Sequence, residues 1–215
     1  MTLDLFAPEP CENLLPYDGE VQDYGCILSP EEAEQYFHYL YQHLAWKHDE
    51  AKLYGKHFIT PRKVAWYGDN YYQYKYSGVI RDSLPWDRAL AKLKQLVEQR
   101  LSEKFNSCLA NLYEDGTQGM AWHSDSDVSL AKTTTIASLS FGATRKFSFR
   151  HIQSKEKVEL WLQPGQLIVM RGETQQHWQH RLNRSTKILQ PRINLTFRQF
   201  QFSWLSLKIG QEKSP

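Results

Sequence analysis

The chain has 215 residues, 13% of them aromatic and 23% charged, with a formal net charge of +2. That length can bury well over half of the unfolded surface in one domain, and the charge is too mild to point to nucleic acid except through its local distribution. Cys11, Cys26 and Cys108 are widely spaced and form no C-x-x-C pair, which argues against a disulfide framework or a thiolate zinc site and for a reducing compartment.

In chain order, residues 1–28 mix prolines, acids and short apolar clusters, and read as a loosely structured lead-in. Asp4, Glu9 and Glu12 stand where a secretory leader would be basic and then apolar, so an intracellular protein is expected. The longest aliphatic run, Leu167 to Met170, is far short of a membrane span. Ser29, Pro30 and Glu32 form a capping box with proline at the first helical position, and Ala33, Tyr36, Phe37, Leu40, Tyr41 and Leu44 continue an apolar face to about Trp46. Residues 61–78 read as extended segments and turns. A second helix is predicted from about Pro85 to about Phe105, with Leu90, Leu93, Val97 and Leu101 on one face. Seven β-rich runs follow, at 108–113, 133–141, 145–150, 158–162, 166–171, 177–182 and 192–200, separated by glycine-containing turns that suggest a sandwich or barrel.

Two stretches carry chemistry. In "WHSDSD", extended backbone would place His123 and Asp125 on one face, as ligands to a metal require. Two histidines and one carboxylate leave open positions for substrate and oxygen, the arrangement of non-haem Fe(II) oxygenases. His151, His177 and His180 are all candidates for the second histidine, and an isolated H-x-D is more often a hydrogen-bonded loop. In "RINLTFR", Arg192, Asn194, Thr196 and Arg198 alternate with Ile193, Leu195 and Phe197. The polar face suits either water or a carboxylate clamp, since guanidinium donors match carboxylate oxygens bidentately. Asn111 and Tyr113 share a strand face that suits neutral donors to the same ligand and, taken alone, a core or surface role equally well.

"ANLYEDG", "WHSDSD", "SLSFGATRKFSFRH", "HWQH" and "PRINLTFR" together resemble, in order and spacing, the AlkB family of Fe(II)- and 2-oxoglutarate-dependent nucleic-acid dealkylases, over roughly residues 50–200. The resemblance is greatest to the members that act on alkylated DNA. It implies His123, Asp125 and His180 as iron ligands and catalytic centre, Arg192 on the distal carboxylate of 2-oxoglutarate, and Arg198 facing the carboxylate near iron. Asn111, Tyr113 and Asn194 assist. The cofactors implied are Fe(II), 2-oxoglutarate and O2.

A base repaired this way must leave its stack and enter a pocket lined by aromatic or imidazole faces. Trp66, Tyr67, Tyr71, Tyr72, Tyr74 and Tyr76 crowd into eleven residues, and at least half are assigned to packing. The resemblance implies Tyr76 stacked on the flipped base opposite His123, Tyr74 nearby, Asp127 reading a base nitrogen, and Tyr54 as a finger filling the vacated gap. Lys52, Lys56, Arg62 and Lys63 are expected at phosphates. Arg145 and Arg150 line the barrel or groove without an assigned role, and His151 is left on the substrate side or in the framework.

The expected fold class is α+β, a double-stranded β-helix (jelly roll) core with supporting helices and an N-terminal nucleotide-recognition lid. All of it forms one structural domain: lead-in 1–28, supporting helices and lid 29–106 with the lid at about 50–80, catalytic core 107–205 and tail 206–215. The expected function is oxidative dealkylation of bases such as 1-methyladenine and 3-methylcytosine in single- or double-stranded DNA by a monomer, with RNA a further partner and no membrane. The expected compartment is the cytoplasm of a bacterium or the nucleus of a eukaryote. Alternatives are a hydroxylase or demethylase of RNA, protein or a small molecule, and a non-catalytic nucleic-acid-binding module; a zinc hydrolase would leave the arginine pair without a purpose.

Overall fold

Ser29 opens the first helix through both halves of its capping box: its hydroxyl accepts the Glu32 amide, and the Glu32 carboxylate accepts the Ser29 amide. Such a cap stabilises a helix by about 1 kcal/mol. The computed structural model describes residues 12–53, 56–76, 79–125 and 135–200. Among these the order is β1 (Glu20–Cys26), α1 (Pro30–His43), β2 (Lys47–Leu53), β3 (Lys56–Gly68), β4 (Gln73–Tyr76), β5 (Val79–Asp82), α2 (Arg88–Leu101), β6 (Ser107–Tyr113), β7 (Met120–His123), β8 (Ile136–Gly142), β9 (Arg145–His151), β10 (Lys157–Leu162), β11 (Gln166–Arg171), α3 (Thr174–His177), β12 (Trp178–Leu182) and β13 (Arg192–Arg198).

A seven-stranded sheet, β1-β11-β8-β13-β6-β3-β2, faces a four-stranded sheet, β10-β9-β12-β7, and every strand pair in them is antiparallel. This is the two-sheet jelly roll expected. Alternation in the central strands divides two kinds of side chain. Ile193, Leu195 and Phe197 of β13, Cys108, Ala110 and Leu112 of β6, and Leu139 and Phe141 of β8 pack under α1 and α2 with Leu40, Leu90, Leu93 and Val97. Burying each large aliphatic or aromatic group there contributes roughly 1.5–3 kcal/mol. A second apolar cluster, including Ile136, Phe149, Ile168, Met170 and Trp178, fills one part of the space between the sheets. The polar halves of β6, β8 and β13 point into the rest of that space, so the polar face of "RINLTFR" lines the interior rather than meeting water.

Several boundaries differ from expectation. The second helix begins at Arg88, because Asp87 caps it by accepting the Ala89 and Leu90 amides, and ends when Ser102 turns left-handed and buried Glu98 accepts the Phe105 amide. The lead-in contains β1, which pairs with β11; only Val21 of this edge strand is buried, so no alternation announces it. Short β7 was not anticipated. Residues 50–80 divide between β2 and β3, which extend the large sheet beyond β6, and the separate β4–β5 hairpin. Of the six clustered aromatics, Tyr67 and Tyr72 are buried, Trp66 stacks on Tyr72 and Tyr71 is exposed. The side chains of Tyr74 and Tyr76, like Tyr54, Lys52 and Asp127, lie outside the described residues.

Gly142, where β8 turns toward β9, has a φ of +77°, and a Cβ there would lie 2.4 Å from the Pro191 carbonyl oxygen. Arg145 follows. It is fully buried and donates to the carbonyls of Asp115, Gly116, Gln118 and Asn183, fastening the turn that leads into β7 to the loop after β12. Its role is thus in the framework of the site.

Candidate active site

His123 ends β7 and pairs in register with His180 on β12, so the sheet itself sets the two imidazoles side by side, 4.3 Å between ring centroids. Asp125 lies just beyond the strand, with its carboxylate Oδ2 4.0 Å from His180 Nε2. One donor atom from each of the three residues falls within 4.8 Å of the others. Of the three histidines left open, His180 is the one brought to His123 and Asp125.

The protonation states suit a cation. His123 Nδ1 lies 2.8 Å from the Ala121 carbonyl oxygen, an acceptor, so Nδ1 carries the proton and Nε2 keeps its lone pair. Burial, reinforced by His123, pushes the His180 pKa down to about 3, leaving a neutral imidazole at pH 7. Burial favours the neutral acid at Asp125, but Arg198 and the two histidines outweigh it and hold its pKa below the ordinary carboxylate value. Two imidazole nitrogens and one ionised carboxylate are the donor set that Fe(II) takes in a facial triad.

The supports come from outside the cluster. Ser124 Oγ donates to the Trp178 carbonyl, and Gln175 Oε1 accepts the Asp125 amide, which hold the short segment after β7 against α3 and β12. Trp122 points to the opposite face, between the guanidinium groups of Arg150 at 4.4 Å and Arg181 at 4.5 Å. Arg150 also donates to Gln179 Oε1.

The cluster opens into a cavity of about 250 Å³ between the sheets, lined also by Asn111, Tyr113, Arg192, Asn194 and Arg198. Arg192 is 2% exposed and donates from Nη2 to Ser140 Oγ and Asn194 Oδ1, both neutral. Its Nε meets no acceptor among the described residues, and burial lowers its pKa to about 10. A buried guanidinium with an unmet donor is costly until an anion joins it. Arg198 donates to Asp125 Oδ2 at 2.7 Å and also keeps an unmet buried Nε. Asn194 is held by Ser138 and Thr196.

Arg62 departs from expectation. Rather than reaching outward to phosphate, it donates to Asn111 Oδ1 and pairs with buried Asp49, which also pairs with Arg81 of β5. Burial opposes the Arg62 charge, but Tyr113 and Asp49 more than offset it and raise the pKa. Lys63 pairs with Glu114. Ser138 and Ser140 were missed by sequence reasoning; their alternation through otherwise apolar "SLSFG" was a usable signal. Asp49 and Gln175 carried none.

Antiparallel sheets enclosing a His-Asp-His cluster and two arginines define an oxygenase architecture, and the profile of the 2OG-Fe(II) oxygenase superfamily matches residues 24–198. The chain belongs to that superfamily and, within it, to the AlkB family. It is 38% identical over 178 residues to alpha-ketoglutarate-dependent dioxygenase alkB homolog 3 of Bos taurus, covering 78% of this chain and 62% of that protein. It is 36% identical over 192 residues to DNA oxidative demethylase ALKBH2 of Mus musculus, covering 84% and 80%. The chain thus spans a little over three fifths of the alkB homolog 3 relatives. A solved structure of OsALKBH1 shares the fold, with a TM-score of 0.60, 14% identity, and coverage of 86% of this chain and 99% of that one. Fe(II), 2-oxoglutarate and O2 are the cofactors of the superfamily, and the donor set and buried guanidiniums fit the first two. Among the described residues, no helix is long and apolar enough to cross a membrane.

The His180 environment makes stability depend on pH. The unfolded state, with an imidazole near 6.5, takes up a proton that the native state at about 3 refuses, so protons favour unfolding within that interval. Metal-free protein is expected to lose up to about 1.4 kcal/mol per pH unit from this group as pH falls below 6.5. Urea midpoints at pH 7 and 4.5 would measure the slope. An unchanged slope in His180→Asn would assign the loss to other groups.

Proposed function

We propose that this chain is an Fe(II)- and 2-oxoglutarate-dependent dioxygenase that removes N-linked alkyl groups from DNA bases. The observation that carries the reading is the juxtaposition, in one cavity, of the His123, Asp125 and His180 donors with Arg192, a buried cation lacking a carboxylate partner among the described residues. His123, Asp125 and His180 hold the metal. Arg192 receives the far carboxylate of 2-oxoglutarate, with Asn194 and Tyr113 beside it, while Arg198 holds Asp125 and faces the near carboxylate, and Asn111 completes the polar wall.

Iron supplies the oxidising chemistry when bound, coupling conversion of 2-oxoglutarate and O2 to succinate and CO2 with hydroxylation of the alkyl carbon. The protein positions the co-substrate, excludes bulk water and presents the base. The N–C bond of a hydroxylated N-methyl group then breaks, its electron pair returning to the base nitrogen while the hydroxyl proton leaves and formaldehyde is released. The printed name of the mouse relative, DNA oxidative demethylase, supports DNA as substrate. Tyr54 as finger, Tyr74 and Tyr76 at the flipped base, Asp127 at its edge and Arg62 behind the pocket complete the substrate assignment. A monomer acting inside the cell accords with this reading.

The test is mass spectrometry of matched single- and double-stranded oligonucleotides carrying 1-methyladenine, incubated with protein, Fe(II), ascorbate and 2-oxoglutarate. Methyl loss is expected only in the complete mixture. Succinate formation without methyl loss on either strand form would retain the oxygenase and overturn the DNA substrate.

A further inference from the structure

A second set of cation donors lies away from the cavity. Asp18 is on the turn before β1, His151 ends β9 and His177 ends α3, and one donor atom of each lies within 4.8 Å of the others. His151 is the fixed member, its side chain 4% exposed. Its Nε2 is 3.3 Å from Asp18 Oδ2, yet it makes no hydrogen bond among the described residues. A buried ring nitrogen without a hydrogen bond is unfavourable unless a ligand meets it.

We infer that these residues form a structural site for a divalent cation of the zinc class, separate from the iron centre. Imidazole and carboxylate donors suit zinc. On the far side of His151, Nδ1 lies 3.1 Å from Ser154 Oγ, which is 2.7 Å from Tyr17 Oη, and that hydroxyl donates to Glu156. A proton on Nδ1 donated to Ser154 Oγ leaves the Nε2 lone pair facing Asp18 and His177, as the outer partners of metal-bound histidines do. The Ser154 amide also points at Nδ1, so without a cation the other tautomer is favoured and binding includes a tautomer exchange.

Donors around a tetrahedral zinc lie roughly 3.4 Å apart, so the cluster must contract. The side chains of Asp18 and His177, 53% and 36% exposed, are free to swing toward the fixed His151. Glu173, whose Oε2 is 3.7 Å from His177 Nε2, or water supplies the fourth position. The ion would join the N-terminal turn to β9 and α3. Because α3 carries Gln175, the acceptor of the Asp125 amide, it would also steady the ground on which the iron site rests.

The test uses the whole chain, stripped with chelator, dialysed against limiting zinc and analysed for bound metal, with Co(II) absorption as a second readout. Wild type is expected to retain two zinc ions and His177→Ala one. In an Asp125→Ala background, zinc should raise the melting temperature, and Asp18→Ala or His177→Ala added to that background should remove the shift and the intense tetrahedral Co(II) bands. Equal zinc content in wild type and His177→Ala, or a shift that survives both substitutions, overturns the site. Since the two replaced side chains are partly exposed, circular dichroism distinguishes loss of metal from loss of fold.

Discussion

Asp125→Ala is expected to abolish turnover while leaving the two-sheet core folded. The carboxylate is one of three donors in the cluster and the ion-pair partner of Arg198. Its loss removes an anionic ligand and also leaves a half-hidden guanidinium without its carboxylate. Supporting residues of metal sites alone contribute about 10- to 100-fold to affinity or activity, so loss of a direct ligand should exceed that range. Succinate release, iron binding and far-ultraviolet circular dichroism of the variant would be measured together. Near-normal succinate release would remove Asp125 from the metal set; loss of the β signal would instead show that Arg198 and Asp125 hold the barrel together.

Arg192→Met should separate co-substrate binding from folding. Removing one partner of a buried charge pair costs about 3–5 kcal/mol, which corresponds to roughly 10²- to 4 × 10³-fold weaker binding of 2-oxoglutarate. Without co-substrate the same guanidinium is buried, has only neutral acceptors among the described residues and is held below its ordinary pKa, so its replacement by a linear apolar side chain should not lower the melting temperature. The measurement is thermal unfolding with and without 2-oxoglutarate. A ligand-induced shift as large as that of wild type would exclude Arg192 from the carboxylate site.

The chemistry of the cavity was legible because it is written in local alternation. "RINLTFR" and "ANLY" each place their polar members on one strand face, and both faces turn inward together because β6 and β13 are neighbours in register, Asn111 opposite Asn194 and Tyr113 opposite Arg192. Alternation alone could not say whether that face met water or the cavity; α1 and α2 decide it by covering the other side. The choice among His151, His177 and His180 likewise depends on pairing between β7 and β12. What stayed hidden depends on distant partners. Asp49 looks like an ordinary strand acid until β3 and β5 bring Arg62 and Arg81 to it, and Arg145, expected along the barrel or groove, shows no partner in the sequence until backbone carbonyls from two loops close around it. Strand β1 was hidden for another reason, since an edge strand with one buried side chain needs no periodic pattern.

Strand β7 is the outermost of the four-stranded sheet, four residues long and paired only to β12 among the described residues, with an irregular register. Its outer edge has no strand partner among the described residues, whereas His180 is packed on Phe147 and Arg192 is bonded to Ser140 and Asn194 inside the cavity. Local opening at such an edge is governed by its own, smaller free energy rather than by that of the whole fold. The strand that carries His123 is joined to its sheet on one side only, and the guanidinium groups flanking Trp122, from β9 and β12, add to that attachment.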